Sequence, residues 1–276
     1  MQNKKNQNQK RNTSKSANQN SRHFKSDGNS QDIWLCGKHP TFTIIQKKRR
    51  KIFEILATQN SISELEDFLK KNSFTSLRAL VKIADNQKIE NLVGRNQVHQ
   101  GLAVRCSKLP IKNQNDLLEE LYTLNSEENF PKLLLIDQIS DPHNAGAIIR
   151  SAAAFGVKKI IFSEHNSAKE SPTMVKSSAG MIDHVDIFYV TNFSNLLEKL
   201  KKLDYWCIGL AGEAKTLITE IKGYKNIALI IGSEGDGIRD LVKKNCDILA
   251  RIEIEKNVES LNASVAAAIS LYELSK

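Results

Sequence analysis

Cysteine is scarce and badly spaced for chemistry. Cys36, Cys106, Cys207 and Cys246 lie 70, 101 and 39 residues apart, with no Cys-x-x-Cys pair. That excludes a disulfide framework and a zinc module, and the six scattered histidines supply no metal-ligand spacing, so no metal is expected. No apolar run approaches the ~20 residues of a membrane helix. The densest is only Ile227–Ile231, so no membrane partner is expected. No Gly-x-Gly-x-x-Gly follows the first buried strand and no P-loop signature occurs, which disfavours ordinary dinucleotide and triphosphate sites. No Ser/His/Asp or Cys/His set falls at strand ends in a recognisable order. The first thirty residues lack an apolar segment, so a secretory signal is not expected, and the cytoplasm is the default location.

What remains is a basic chain of 276 residues, with 40 Lys+Arg against 31 Asp+Glu and 40% hydrophobic residues, enough for a core. Its charge is uneven. Residues 1–30 hold seven Lys/Arg and one Asp, with eleven Asn/Gln and five Ser. Such a stretch cannot bury enough apolar surface to order itself, and reads as a disordered basic arm suited to phosphate backbones or as a merely solvated tail.

Residues 31–107 read as a small α/β unit. Ile52, Phe53, Ile55 and Leu56 suggest a helix over Lys47–Ala57, Ile62–Leu69 is amphipathic, and Ser76–Lys82 and Val98–Val104 look like strands. A polar stretch over 108–130, with a helical Asp116–Leu124, reads as a linker. From 131 to 276 short apolar strands alternate with helices. The strands are Lys132–Asp137, Lys159–Ser163, Val185–Val190, Trp206–Leu210, Ile227–Ile231 and Ala250–Glu255. The helices are Ala145–Phe155, Phe193–Leu203, Ile238–Cys246 and Leu261–Leu274. This alternation predicts a parallel sheet covered on both faces, with ligands at the carboxyl ends of its strands.

Three loop–helix units then carry the chemistry. In Asp137–Gly156, Asp141 or Asn144 can cap a helix whose one interior charge is Arg150, either placed to meet phosphate or carboxylate or simply snorkelling to solvent. In Ile231–Gly237 the alternate glycines allow close backbone approach, while Glu234 and Asp236 argue for a cationic or neutral ligand rather than phosphate. In Asn257–Ile269, Ser260 reads as the helix cap, with Asn262 on the first turn and an alanine-rich helix beyond. From spacing alone, the chain binds a small ligand near residues 144, 232 and 260.

Together, Asp141-Pro-His-Asn-Ala-Gly-Ala-Ile-Ile-Arg150-Ser, Gly232-Ser-Glu-Gly-Asp-Gly and Ser260-Leu-Asn-Ala-Ser resemble, in order and spacing, the three motifs of the SpoU family of RNA ribose 2′-O-methyltransferases, of the SPOUT superfamily. The segment Gly209-Leu-Ala-Gly212-Glu fits as well. Residues 31–107, with His99-Gln-Gly, resemble the substrate-binding domain of the bacterial 23S rRNA guanosine 2′-O-methyltransferase branch. The resemblance implies a deep trefoil knot in 131–276, a homodimer packed through the knotted domain, and S-adenosylmethionine bound against Gly212, Gly232, Ile252 and Leu261.

It also assigns catalysis to Asn144, Arg150, Glu234, Ser260 and Asn262, with Arg150 acting on the ribose 2′-hydroxyl. Arginine in general is a poor base, holding its proton far into the alkaline range. The expectation is therefore that Arg150 stabilises the forming alkoxide and grips the adjacent phosphate, while Asn144 orients it and Glu234 holds Asn144 or Arg150. Glu253 and Lys256 stand where the family usually has Pro and Gly, side chains that could weaken donor binding but leave Asn144, Arg150, Glu234 and Asn262 in place, so activity is still expected. A tRNA methyltransferase of the same family, and a catalytically silent RNA-binding protein, are the alternatives.

Overall fold

The computed structural model describes residues 32–95, 97–124 and 130–276; the basic stretch 1–30 lies outside the described residues. The first sheet runs β1 (Asp32–Cys36), β2 (Ile52–Ala57), β3 (Val81–Ile83) and β4 (Leu102–Ser107), in the order β1-β4-β2-β3. β4 pairs antiparallel with β1 and β2, and β3 joins β2 in parallel. Around it lie α1 (Lys38–Lys47), α2 (Ile62–Lys71) and α3 (Asn86–Val93).

Here the helix expected over Lys47–Ala57 is not formed. Lys48 takes a left-handed conformation that ends α1, and Ile52–Ala57 becomes a strand with Ile55, Leu56 and Ala57 fully buried. A short apolar run satisfies helical and extended patterns alike, and pairing to β4 decides between them. The strand expected over Ser76–Lys82 is mostly a 3₁₀ turn, Thr75–Leu80, with β3 only at its end. The strand expected from Val98 starts at Leu102, because His99-Gln100-Gly101 is spent on a turn. Gly101 N donates to His99 Nδ1 (3.1 Å), and Gln100 Oε1 accepts from Lys38 N at the start of α1 (3.1 Å).

The helix expected at 116–124 is α4 (Gln114–Tyr122), held by a reciprocal Asn113–Asp116 capping box. Its Leu117, Leu118 and Leu121 are buried in the core of the second sheet.

That second sheet has seven strands, all parallel: β5 (Leu133–Ile136), β6 (Lys159–Ser163), β7 (Asp186–Val190), β8 (Trp206–Leu210), β9 (Thr216–Leu217), β10 (Ile227–Ile231) and β11 (Ile248–Arg251). Their order is β7-β6-β5-β10-β8-β11-β9. β5 and β10 are buried along their whole length, as strands covered on both faces must be. The connecting helices are α5 (Pro142–Ala154), α6 (Pro172–Ser177), α7 (Phe193–Lys201), α8 (Asp240–Lys244) and α9 (Ala263–Glu273). The expected strand Ala250–Glu255 ends at Arg251, leaving Ile252–Glu255 to line a cavity or face solvent.

The two sheets are joined through Arg50, whose buried guanidinium donates to both oxygens of buried Asp183 (2.7 and 3.1 Å) and pairs with Glu170. Arg49 adds a half-buried pair to Asp186 at 2.7 Å.

Candidate active site

A cavity of about 420 Å³ opens at the carboxyl ends of β8, β10 and β11, in the size range of small-molecule sites. Gly212, Gly232, Ile252 and Leu261 all line it. The two glycines differ. A Cβ on Gly212 would meet nothing within 4 Å, so that stretch of backbone is bare towards the cavity. A Cβ on Gly232 would lie 1.9 Å from the carbonyl carbon of Gly237. Gly232 therefore serves closure of its own loop rather than approach of a ligand. That loop is latched by Ser233 N donating to Gly237 O (3.1 Å) and Gly237 N donating back to Ser233 O (3.0 Å).

Above the loop, three side chains meet. Asn144 Nδ2 donates to Glu234 Oε1 (3.1 Å), Asn262 Nδ2 donates to Asn144 Oδ1 (3.0 Å) and also to Glu234 Oε1, and Ala263 N donates to the same carboxylate oxygen (3.2 Å). Glu234 thus gathers the starts of two helices. Asp141 caps α5, accepting from the backbone of His143 (3.0 Å) and Asn144 (3.3 Å). Asn262 caps α9, its Oδ1 accepting from Ser264 N (2.9 Å) and Val265 N (3.4 Å). The cap expected at Ser260 is thus two residues early. Ser260 instead stands exposed on the cavity wall, because the helix begins only where a side-chain oxygen can reach two free N–H groups.

Arg150 is elsewhere. It lies six residues beyond Asn144 on α5, roughly 9 Å along and about 120° around the helix, and lines a different cleft with His39, Lys158 and His184. The expectation that Asn144 orients Arg150 fails within one chain for that reason, and Glu234 holds Asn144 alone.

The cavity rim is acidic. Glu213, Glu234, Asp236 and Glu259 line it, against Lys243 and Arg251. Lys243 Nζ donates to Glu213 (2.7 Å), which holds that carboxyl below its ordinary range. Glu253 and Lys256 are exposed and do not line the cavity. Two polar residues escaped the sequence reading: Lys243, which pairs with Glu213 at the end of the Gly209–Glu213 segment, and Arg239, which binds the buried Asp137. Nothing local in the sequence announces pairs 30 and 102 residues apart.

Residues 131–272 match the SpoU rRNA Methylase family, and residues 34–111 match the RNA 2′-O ribose methyltransferase substrate-binding family. The chain belongs to the SpoU methylase family. It is 33% identical to the 23S rRNA (guanosine-2′-O-)-methyltransferase RlmB of Xylella fastidiosa over 249 residues, covering 89% of this chain and 96% of that one. The enzyme of the same name from Coxiella burnetii is 33% identical over 243 residues, 88% and 94% of the two chains. Among solved structures, the SpoU methyltransferase AviRb of Streptomyces viridochromogenes, in complex with AdoMet, superposes with a TM-score of 0.70 at 20% identity over 89% of this chain and 90% of that one. That likeness speaks for the shared SpoU fold. Among the described residues no group of three or more His, Cys, Asp or Glu could hold a metal ion, and no helix is long and apolar enough to cross a membrane.

Proposed function

We propose that this SpoU methylase transfers a methyl group from S-adenosylmethionine to the ribose 2′-oxygen of a guanosine in 23S rRNA. The single observation that carries the reading is the acid-rimmed cavity beside the Asn144–Glu234–Asn262 cluster, in a chain that aligns nearly end to end with RlmB enzymes. Residues 31–107 form the RNA-binding unit and 131–276 the methyltransferase unit, and of the stretch expected as a linker, 108–130, α4 belongs with the methyltransferase sheet into whose core it packs. Such a substrate locates the enzyme in the cytoplasm.

The cavity fits the donor on its own terms. The bare backbone at Gly212 leaves room for a flat group, Ile252 and Leu261 offer apolar walls, and Glu213, Glu234 and Asp236 favour a cation over a phosphate. When bound, S-adenosylmethionine supplies an electrophilic methyl on a cationic sulfonium and departs as a neutral thioether. Asn144, Asn262 and Glu234 fix the mouth of the site. Ser260 is placed to hydrogen-bond the incoming ribose.

Arg150 stabilises the developing alkoxide as the 2′-proton passes to solvent water and the 2′-oxygen takes the methyl, and it does so for a partner's cavity rather than its own. The supporting geometry is its separation from the cluster, together with two exposed apolar side chains on α9, Val265 and Tyr272, at 46% and 50% exposure. α9 packs on α5, so a homodimer built on these helices brings a second copy's Arg150 within range. The trefoil knot accords with β10, late in the chain, pairing between the early β5 and β8.

The test is transfer of labelled methyl to undermethylated 23S rRNA and, separately, to tRNA, followed by alkaline hydrolysis. Label in alkali-resistant dinucleotides from 23S rRNA is expected. Label on tRNA alone would overturn the substrate, and no transfer with no donor binding would leave a silent RNA-binding protein.

A further inference from the structure

The cleft that holds Arg150 is a separate concavity of about 360 Å³. Four of its lining side chains are cationic or can be: His39 from α1, Arg150 from α5, Lys158 before β6, and His184 before β7. Among the described residues none of these four side chains has a hydrogen-bond or ion-pair partner, and no carboxylate lines the cleft. The nearest acids are already engaged. Asp183, next to His184, is fully buried and takes both of its bonds from Arg50; Glu170 pairs with Arg50 too, and Asp186 with Arg49. The charges of Arg150 and Lys158 are thus left without compensation. Burial and the neighbouring Lys47 and Arg49 push the His184 imidazole below its ordinary value, with Asp183 opposing them, which registers that local field.

The floor is apolar and shallow: Ala153 and Ala154 from α5, then Ala179 and Met181. The fold places His39 there deliberately. Ala179 takes a left-handed backbone (φ 50°), a conformation costing about 1–2 kcal/mol for a residue with a Cβ. The turn lets Gly180 pass so close to α1 that a Cβ on it would sit 3.1 Å from the Cα of Pro40 and from Thr43. α1 therefore seats against the turn, and its first-turn His39 overhangs the helix that carries Arg150.

We infer that this cleft is a phosphodiester-binding subsite for the substrate RNA strand, in which His39, Lys158 and His184 hold a backbone phosphate beside Arg150. Two unpaired cations, Arg150 and Lys158, and two imidazoles able to donate a hydrogen bond, set around a wall of methyl groups, suit a phosphate flanked by ribose, and a phosphate held here sets its attached sugar at the Arg150 guanidinium. The small unit contributes through His39, so the two units bind one strand jointly. The inference rests on RNA being the substrate.

The experiment uses the full chain, with binding of a labelled undermethylated 23S rRNA transcript measured across salt concentrations, alongside calorimetric titration of S-adenosylmethionine. The variants are His39→Ala, Lys158→Ala, Lys158→Arg and the double variant of the two alanines. For Lys158→Ala, the expected result is an RNA dissociation constant raised about five-fold or more, with the salt slope shallower by about one. The KM for RNA should rise with it, kcat should fall by less than KM rises, and donor affinity should stay put. Lys158→Arg should restore binding, and the double variant should lose more than either single. Wild-type RNA affinity and slope in the alanine variants would overturn the subsite alone. If tRNA is the RNA bound and the variants weaken it, the subsite stands and the rRNA reading falls. If the wild type binds neither RNA, both fall together.

Discussion

Asp137 and Arg239 fasten the end of β5 to the exit of the glycine loop. Asp137, fully buried, accepts from Arg239 N (3.1 Å) and Nε (2.9 Å) and pairs with its Nη2 at 2.7 Å. The strand that leads to Asn144 and the loop that carries Glu234 are thereby locked in one frame. Asp137→Asn keeps the shape but removes the charge. It is expected to cost about 1.5–3 kcal/mol of stability, the range for a hydrogen bond to a charged group. A rise in the donor dissociation constant should accompany it, and urea unfolding with calorimetry checks both.

Asn262 does two jobs that substitution can separate. Asn262→Ala loses the α9 cap, at about 1 kcal/mol, together with the contact to Glu234. Asn262→Asp keeps a good cap but sets a second carboxylate against Glu234. Its stability should therefore exceed that of the alanine variant while methyl transfer stays at least ten-fold below wild type. Thermal melts and single-turnover rates give the two readouts.

At the glycines, equal substitutions should act unequally. Gly232→Ala drives a methyl into the Gly237 backbone, so the loop must open and donor binding should be lost with several degrees of melting temperature. Gly212→Ala meets no protein atom within 4 Å and should leave stability intact while the added methyl reduces donor affinity. Equal loss of stability in both would contradict the geometry.

Subunit mixing tests where Arg150 acts. In the proposed homodimer, Asn144→Ala and Arg150→Ala should each leave the enzyme nearly inactive. In a heterodimer of the two, one site receives an intact Asn144 from its own chain and an intact Arg150 from the other. Random mixing should then recover about a quarter of wild-type activity. No recovery in verified heterodimers would return Arg150 to its own chain's cavity.

Alkaline pH should destabilise the fold. Burial pushes the thiols of Cys106, Cys207 and Cys246 up to about 12, and raises Cys36, Tyr189 and Tyr205 in the same direction. The folded chain keeps protons that the unfolded chain releases from about pH 9, so this stability is complete below pH 9 and lost as pH rises towards 12. Each thiol contributes a slope of at most about 1.4 kcal/mol per pH unit. Urea midpoints should fall between pH 9 and 10.5, and a flat profile would contradict the burial.

The strands Lys159–Ser163, Trp206–Leu210 and Ile227–Ile231 are legible to the residue, since parallel strands with buried centres read as short apolar runs between turn signals. Ile52–Ala57 was misread because six residues cannot show a period, and α1 was missed because Gly37 starts it without a side-chain cap. The motif residues came from family resemblance, yet their arrangement did not. That Asn144 turns to Glu234 while Arg150 turns to His39 follows from helix phase and from how α1 seats at Gly180, and both are tertiary facts. Asp137 and Arg239, likewise, meet only when the sheet brings β5 beside β10.

The most direct measurement is nucleoside mass spectrometry of undermethylated 23S rRNA after incubation with the enzyme and labelled S-adenosylmethionine. The expected result is label in 2′-O-methylguanosine alone, abolished by Arg150→Ala. Label in a base-methylated nucleoside, or in none, would contradict ribose methylation by this site.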